Sequence, residues 1–495
     1  MNQESRLRNG DLATTGQGVG GKVRWDELTG LVRGTVVLPS DEGYAFAKQG
    51  ILEYFDFISP RAIVYCESAA DVSATVRFAG RHGIPVRPRS GGHNLAGWST
   101  GEGIVIDVSR LNGIKVGHST IRIGPGAQSI DALTELARHG KQIITGTCPT
   151  VCAGGYLSGG GIGLQTRKFG IGSDRVVAAR VVLADGREIR VSATEHPDLY
   201  WAIRGGGGGV FGIVVEFEVA PIDAPTMVYF NTMWPWEKAL EVVTEWQEWC
   251  SRGSVDLGSV LSILVLDGAA DDEPMVQING GYHGSETEIG TALDELAAVV
   301  GVAPLLRTVE ELPYDQAMKH VYGCETITVK ECHREGTSPE AVLPRQPFMH
   351  ERTRLLGHPT GAAAAKELLE AFGADLREGQ GRNLYFMALG GVANQVGRSD
   401  TAYVHRDAEF FVACASLLFT PSPSPEEVRA AEVWPARAYE VIDPLSTGGT
   451  YLNFPNPDVD DWQTAYHAEN YARLAEVKRS YDPGNFFGHA QSVSG

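Results

Sequence analysis

Two short segments carry the residue types best suited to chemistry. Arg87-Pro-Arg-Ser-Gly-Gly-His-Asn94 follows a stretch that reads as a strand. Gly91 and Gly92 reach backbone conformations closed to other residues. Successive N–H groups in such a turn converge on one anion, a nest suited to a pyrophosphate, and Arg87 or Arg89 would add charge. The plain alternative is a Gly-rich turn in which the histidine is incidental. The second segment is Gly146-Thr-Cys-Pro-Thr-Val-Cys-Ala-Gly-Gly-Tyr-Leu-Ser-Gly-Gly-Gly-Ile-Gly163. Glycine runs are costly in chain entropy and make sense where backbone must lie against a flat or extended ligand. Gly159-Gly-Gly-Ile-Gly163 has a superficial likeness to a dinucleotide loop. It lacks the βαβ setting and the downstream acid, which argues against NAD. Cys148, just before Pro149, is either a small buried side chain or a reactive thiol. Three weaker motifs follow: Leu199-Tyr-Trp-Ala-Ile-Arg-Gly-Gly-Gly-Gly-Gly-Val-Phe-Gly-Ile-Val214, Gly448-Gly-Thr-Tyr-Leu-Asn453 and Tyr481-Asp-Pro-Gly-Asn-Phe-Phe487.

The elements that must position these residues are legible in outline. Residues 62–66, 84–87, 104–108, 121–123 and 210–219 read as strands. Ser68 has the spacing of a capping box with Asp71. Val72, Val76 and Ala79 share the face of the helix it opens, and Gly83 suits its end. Residues 130–139 read as a helix stopped by Gly140. Residues 176–191 read as a hairpin around Asp185-Gly186. From about 221 the texture changes. Runs at 227–233, 257–266, 275–282, 384–392 and 410–419 predict strands, with amphipathic helices at 237–250, 286–300, 362–372 and 425–439, and a last helix at 468–480. This is an α+β pattern: an antiparallel sheet backed by helices.

Composition narrows the partners. The formal charge of −19 opposes nucleic-acid binding, which needs a concentrated basic face, and adhesion to anionic membranes. No apolar run approaches a membrane span. The seven cysteines are odd in number and scattered, which disfavours a disulfide scaffold. The Cys148–Cys152 spacing lacks the second pair that a structural zinc needs. With no apolar segment in the polar, Gly-rich opening, the expectation is a cytoplasmic protein with a loose N-terminal arm. Oligomeric state is left open.

In order, the five motifs resemble those of the FAD-linked oxidases of the vanillyl-alcohol-oxidase superfamily, berberine-bridge-enzyme-like branch. The resemblance spans about 35–493 and is densest over 84–214 and 448–487. It implies FAD held by two covalent bonds, from His93 to the flavin 8α-methyl carbon and from Cys148 to ring carbon 6. It implies that Arg89, Ser90, Gly91, Gly92 and Asn94 form the pyrophosphate loop. Ser158, Gly159, Gly160, Gly163, Ile213, Asn453 and Asn485 are further cofactor contacts by the same resemblance, and Tyr451 is the catalytic base, with Tyr466 and Tyr385 as second choices. A tyrosine base must be brought down from near pKa 10, work for a nearby Lys or Arg. There are departures: Val210 and Cys152 stand where Asn and Gly are common, and Val412, after His405-Arg406, stands where some plant relatives carry a glutamate in the substrate sheet.

The fold so implied is α+β with two domains: an arm at 1–34, an FAD-binding domain at 35–225 and 446–495, and a substrate domain at 226–445. The expected activity is oxidation of a small natural-product alcohol, hemiacetal, amine or phenolic intermediate. Hydride goes to flavin N5 and electrons pass to O2 as H2O2, in secondary-metabolite tailoring. The alternatives are a carbohydrate oxidase and, from another class, a non-catalytic flavin-binding protein.

Overall fold

Local sequence signals set the first frame. Ser68 opens the helix Ala69–His82, its hydroxyl accepting from Asp71 N at 3.2 Å, and Gly83 closes it at φ 59°. The Asp71 carboxylate accepts from the N–H groups of Arg33, Gly34 and Glu67, so it ties the preceding chain to the helix. The computed structural model describes residues 23–269 and 273–495. The first 22 residues of the expected arm lie outside the described residues. The rest of that arm is built: Trp25–Leu31 is a helix whose Leu28 is fully buried with Val72 and Val76.

Sixteen strands among the described residues form three sheets. β1 (Thr35–Val37), β2 (Ala62–Tyr65), β3 (Val86–Arg89) and β4 (Ile104–Asp107) make a four-stranded sheet in the order β1-β2-β4-β3, in which β4 pairs parallel to β2 and β3. β5 (Ile114–Val116), β6 (Ile121–Ile123), β7 (Val176–Val182), β8 (Glu188–Ser192) and β9 (Ile213–Val219) make an antiparallel sheet in the order β5-β6-β9-β7-β8. The Asp185-Gly186 turn joins β7 to β8, with Gly186 at φ 78°.

The third sheet is antiparallel. It comprises β10 (Thr226–Trp234), β11 (Leu257–Val265), β12 (Met275–Tyr282), β13 (Leu306–Pro313), β14 (Phe348–Leu356), β15 (Gln380–Ala388) and β16 (Phe410–Leu418), in the order β13-β10-β12-β11-β15-β16-β14. Helices Ala239–Arg252, Glu286–Val300, Gly361–Gly373 and Val433–Ile442 cover one face over a core that includes Trp246, Phe386 and Trp434. The other face meets the Gly-rich domain through Ile162, Met387, Phe411 and Tyr451.

Three sequence expectations change. β13 is mostly exposed, and β14 carries His350, Glu351, Arg352 and Arg354, so neither shows the apolar signature of a strand. The helix expected over 425–439 is two, Pro425–Ala431 and Val433–Ile442. Pro435 has no N–H and its ring crowds the carbonyl four residues back, at Ala431. Cys324 and Cys332, both buried, form a disulfide. Such a bond persists in oxidising rather than reducing surroundings, so the cytoplasmic expectation does not hold. No helix of the described residues is long and apolar enough to cross a membrane.

Candidate functional site

The His93 loop leaves the end of β3. Arg89 lines the cavity, but its charge is paired within the protein. Its Nε donates to Asp107 Oδ2 at 2.5 Å and its Nη2 to Ala47 O at 2.6 Å, with both side chains buried. It anchors the loop, and Asn94 Oδ1 closes it by accepting from Ala96 N and Trp98 N at 3.1 and 2.9 Å. Between them Gly91 lies flat on the Cys148 loop: an added Cβ would sit 2.9 Å from Cys152 Sγ and 3.2 Å from Thr150 O. Only glycine tolerates that approach. Cys152 is thus a packing residue, and burial raises its thiol pKa well above the ordinary range.

This stacking brings the two candidate tethers together. His93 Nε2 lies 2.8 Å from Thr150 Oγ1, and Cys148 Sγ lies 3.7 Å from the same oxygen. Burial, and secondarily the Arg334 guanidinium, push His93 down to about 4, so it is neutral at neutral pH. In the tautomer whose Nε2 donates to Thr150, Nδ1 keeps the lone pair that a C–N bond requires. Thr150 was missed at the level of sequence; its place in Cys-Pro-Thr was the available signal.

Both loops open on a cavity of about 380 Å³, within the span of roughly 300–1,000 Å³ usual for ligand sites. Gly206 to Gly209 of the third motif line it with Ser158, Ile213 and, from the C-terminal segment, Phe487 and His489. His467 and His489 also face this cavity, and each leaves a buried Nδ1 without a hydrogen-bond partner. Buried polar atoms are nearly always paired, so this cavity fits a polar, extended occupant such as FAD.

Several expected contacts serve the protein instead. The glycines at 159, 160 and 163 do not line the cavity: they pack on Asn453, on Tyr403 and Tyr451, and on Thr145 O. Ser158 O accepts from Gly205 N and Gly207 N, which ties the second motif to the third. Asn485 is exposed at φ 49° in a turn and is absent from the cavity wall. Tyr466 is a satisfied core residue, its hydroxyl donating to Gln491 Oε1 at 2.9 Å and accepting from Asn456 N at 2.8 Å.

Tyr451 is placed differently. It is 1% exposed, lines the cavity, and its oxygen receives three donors: Gly161 N at 2.8 Å, Ile162 N at 3.3 Å and Asn453 Nδ2 at 2.9 Å. Burial raises the phenol to about 12, opposed by these three donors. The expected Lys or Arg is not among its partners; neutral N–H groups hold the oxygen instead. An added Cβ at Gly159 would collide with Asn453 Oδ1. Gly159→Ala is therefore expected to displace Asn453 and to destabilise the fold by about 1–3 kcal/mol, read as a lowered Tm.

The sheet face that packs on the Gly-rich domain, from which Met387 lines the cavity, carries polar groups in alternating positions. Asn231, Ser262, Gln277, Asn279, Asn383 and Tyr385 are half-buried, whereas their strand neighbours are buried on the helix side. Ser262 Oγ donates to Asn383 Oδ1 and Gln277 Nε2 to Asn231 Oδ1, both at 2.8 Å. Tyr385 shares a hydrogen bond with Thr147, next to Cys148. Val412 points into the helix-side core, so β16 presents Phe411 and Ala413 to the site, not position 412. The acid on this face is Glu351 of β14, in the row of Ala415 and Asn383. Its Oε1 has no partner and burial raises it to about 8. The neutral form's contribution is fully present below the ordinary value of 4.5 and is lost as pH rises through about 8. Glu351→Gln should accordingly gain stability over wild type from pH 5 to 9, by on the order of 4 kcal/mol, in denaturant titrations at each pH.

A FAD binding domain model matches residues 60–192, and a berberine and berberine-like model matches residues 450–494. The chain is 30% identical over 475 residues to an uncharacterised FAD-linked oxidoreductase, YvdP, of Bacillus subtilis, covering 93% of this chain and 98% of that one. It is 28% identical over 463 residues to the chitooligosaccharide oxidase of Gibberella zeae, covering 88% and 87%. The solved structure of a berberine-bridge-enzyme-like protein from Physcomitrella patens shares the fold, with a TM-score of 0.84 at 21% identity over 95% of this chain and 99% of that one. The fold and cavity are those of a flavoprotein oxidoreductase. This chain belongs to the FAD-linked oxidases of the vanillyl-alcohol-oxidase superfamily, in the berberine-bridge-enzyme-like branch. It is an FAD-dependent oxidase acting on a small molecule and O2.

Proposed function

We propose that this oxidase takes the hemiacetal end of a sugar and converts it to a lactone, releasing H2O2, with FAD tethered at His93 and Cys148. The carrying observation is the polar sheet face. Sugar hydroxyls both donate and accept, as do the amides of Asn231, Gln277, Asn279 and Asn383, and the bonds within the Ser262–Asn383 and Gln277–Asn231 pairs orient them in advance. Bound FAD supplies the hydride acceptor and returns the electrons to O2. The Tyr451 phenolate takes the substrate hydroxyl proton, and the N–H groups of Gly161, Ile162 and Asn453 stabilise the phenolate charge until that transfer neutralises it, as oxyanion donors do. Met387 and Phe454 line the cavity beside Tyr451 and limit water there.

A peroxide assay over mono- and oligosaccharides, phenolic alcohols and amines tests this. Sugars should give the highest kcat/KM; oxidation of amines or phenolic alcohols with no sugar turned over would overturn the assignment. On the best sugar, Gln277→Ala should raise KM roughly 2- to 10-fold with kcat little changed, the loss expected for one hydrogen bond of about 0.5–1.5 kcal/mol made equally in ground and transition states.

A further inference from the structure

Residues 322–347, within the substrate domain, bond to the chain that supports both tether loops. At one end the Tyr322 hydroxyl donates to Thr145 Oγ1 at 3.0 Å, three residues before Cys148. Next to it, His333 Nε2 meets Asp131 Oδ2 at 3.2 Å. Asp131 lies in the helix Ser129–Ala137, whose first N–H groups, Ser129 and Ile130, donate to Val151 O and Pro149 O at 3.0 Å each. At the other end Arg345 grips Asp56 with two bonds of 2.8 and 2.7 Å and donates from Nε to Gly50 O at 2.8 Å. Arg334 Nη1 reaches the same carbonyl at 3.3 Å. Ile51 N, the next residue, donates to Gly92 O at 3.0 Å, one position before His93. The Cys324–Cys332 disulfide closes the loop between Tyr322 and His333.

Arg334 is the unusual member. Asp107 is engaged by Arg89 and Asp56 by Arg345, and Arg334 makes no ion pair among the described residues. Its guanidinium lies over the Phe46 ring at 5.0 Å. Burial, and then the neighbouring Arg345 and Arg89, lower its pKa. A half-buried cation without a counter-charge is costly, and this one stands beside the loop that carries His93.

We propose that the segment 322–347, stapled by Cys324–Cys332, holds the His93 and Cys148 loops in register for double flavin attachment, with Arg334 as the positioning residue at the His93 loop. The inference rests on the two-tether reading of the site. Each bond forms with loss of two hydrogens. At His93 a C–N bond replaces one C–H of the 8α-methyl and one imidazole N–H; at Cys148 a C–S bond replaces the C–H of carbon 6 and the thiol S–H. In both, two electrons and two protons pass through the flavin to O2 as H2O2, the oxidant already used by the enzyme. Arg334 contributes twice. Through Gly50 and Ile51 it fixes Gly92, and its free charge favours the negative charge the ring acquires as the bond forms.

The test is peptide mass spectrometry of tryptic digests from purified holoprotein, scoring FAD on the His93 and Cys148 peptides separately. Wild type should carry FAD on both, crosslinking them. Arg334→Gln should lose at least tenfold in His93 occupancy while Cys148 stays occupied, and Arg334→Lys, which keeps the cation, should restore His93. That rescue separates a positioning cation from a packing role. Full occupancy of both sites in Arg334→Gln overturns the inference and leaves the two-tether reading standing. A wild-type protein with either peptide bare defeats the two-tether reading itself. Should Arg334→Gln fail to fold, the Cys324→Ser, Cys332→Ser double variant decides: lowered occupancy at both sites supports the inference, and wild-type occupancy overturns it.

Discussion

Tyr451→Phe should keep the fold and the flavin but slow substrate-driven flavin reduction by roughly 100- to 10,000-fold, the span of general base catalysis. That loss corresponds to about 2.7–5.4 kcal/mol of barrier. The change removes one hydroxyl and little volume, so packing among Tyr403, Phe411 and Phe454 should persist. It also leaves the N–H groups of Gly161 and Ile162 and the Asn453 amide without the oxygen they serve, so a modest fall in Tm accompanies the kinetic loss. Anaerobic single-turnover reduction is the measurement, because reoxidation by O2 needs no substrate proton. The pH profile carries a second signature. Burial raises this phenol to about 12, so the base form is scarce near neutrality and the reduction rate should climb with pH through the alkaline range. In Tyr451→Phe the climb should disappear. A variant that reduces its flavin at the wild-type rate places the base elsewhere, with Tyr385 the remaining candidate since Tyr466 is engaged by Gln491 and Asn456.

His93→Ala combined with Cys148→Ala should abolish covalent flavin entirely, while either single change leaves one bond. Acid precipitation reads this directly: wild-type polypeptide stays yellow and heavier by one FAD, and the double variant releases all colour to the supernatant. The expectation rests on the convergence of both side chains on Thr150 Oγ1 and on a His93 held neutral by burial and Arg334. Two tethers also withdraw electron density from the ring, so the flavin potential should fall in the order wild type, single variants, double variant, by dye-coupled reductive titration. Colour that leaves the wild-type polypeptide on acid treatment would refute the attachment.

How far the molecule was legible depended on the range of the interactions. The Ser68 cap, the Gly83 helix stop and the Asp185-Gly186 hairpin were read correctly because each involves neighbours a few residues apart. The strands at 257–266, 275–282 and 410–419 were legible as long runs rich in apolar and β-branched residues, the types that suit a buried strand. β14 was not, because its charged residues pair at the domain edge with groups far off in sequence: Arg354 with Asp443 at 2.6 Å and His350 with Asp458 at 3.5 Å. The disulfide escaped notice for a related reason: spacing alone does not show which two of seven cysteines a fold brings to a Cα separation of 5.9 Å.

The sequence alone determined that this is an FAD-linked oxidase, because its five motifs are contiguous strings whose order and content survive without any fold. It determined as well that His93, Cys148 and Tyr451 are the residues to watch. Only the tertiary structure decided what each residue does. It assigned Gly159, Gly160 and Gly163 to protein packing and Gly206 to Gly209 to the cavity. It turned Asn485 outward and Val412 into the core, and it engaged Arg89 with Asp107. It aimed Gly161, Ile162 and Asn453 at one phenol oxygen. The physical reason is that a motif encodes local backbone freedom and residue type. A hydrogen bond between Gly161 and Tyr451 spans 290 positions and exists only once the sheets and the C-terminal segment have packed around them.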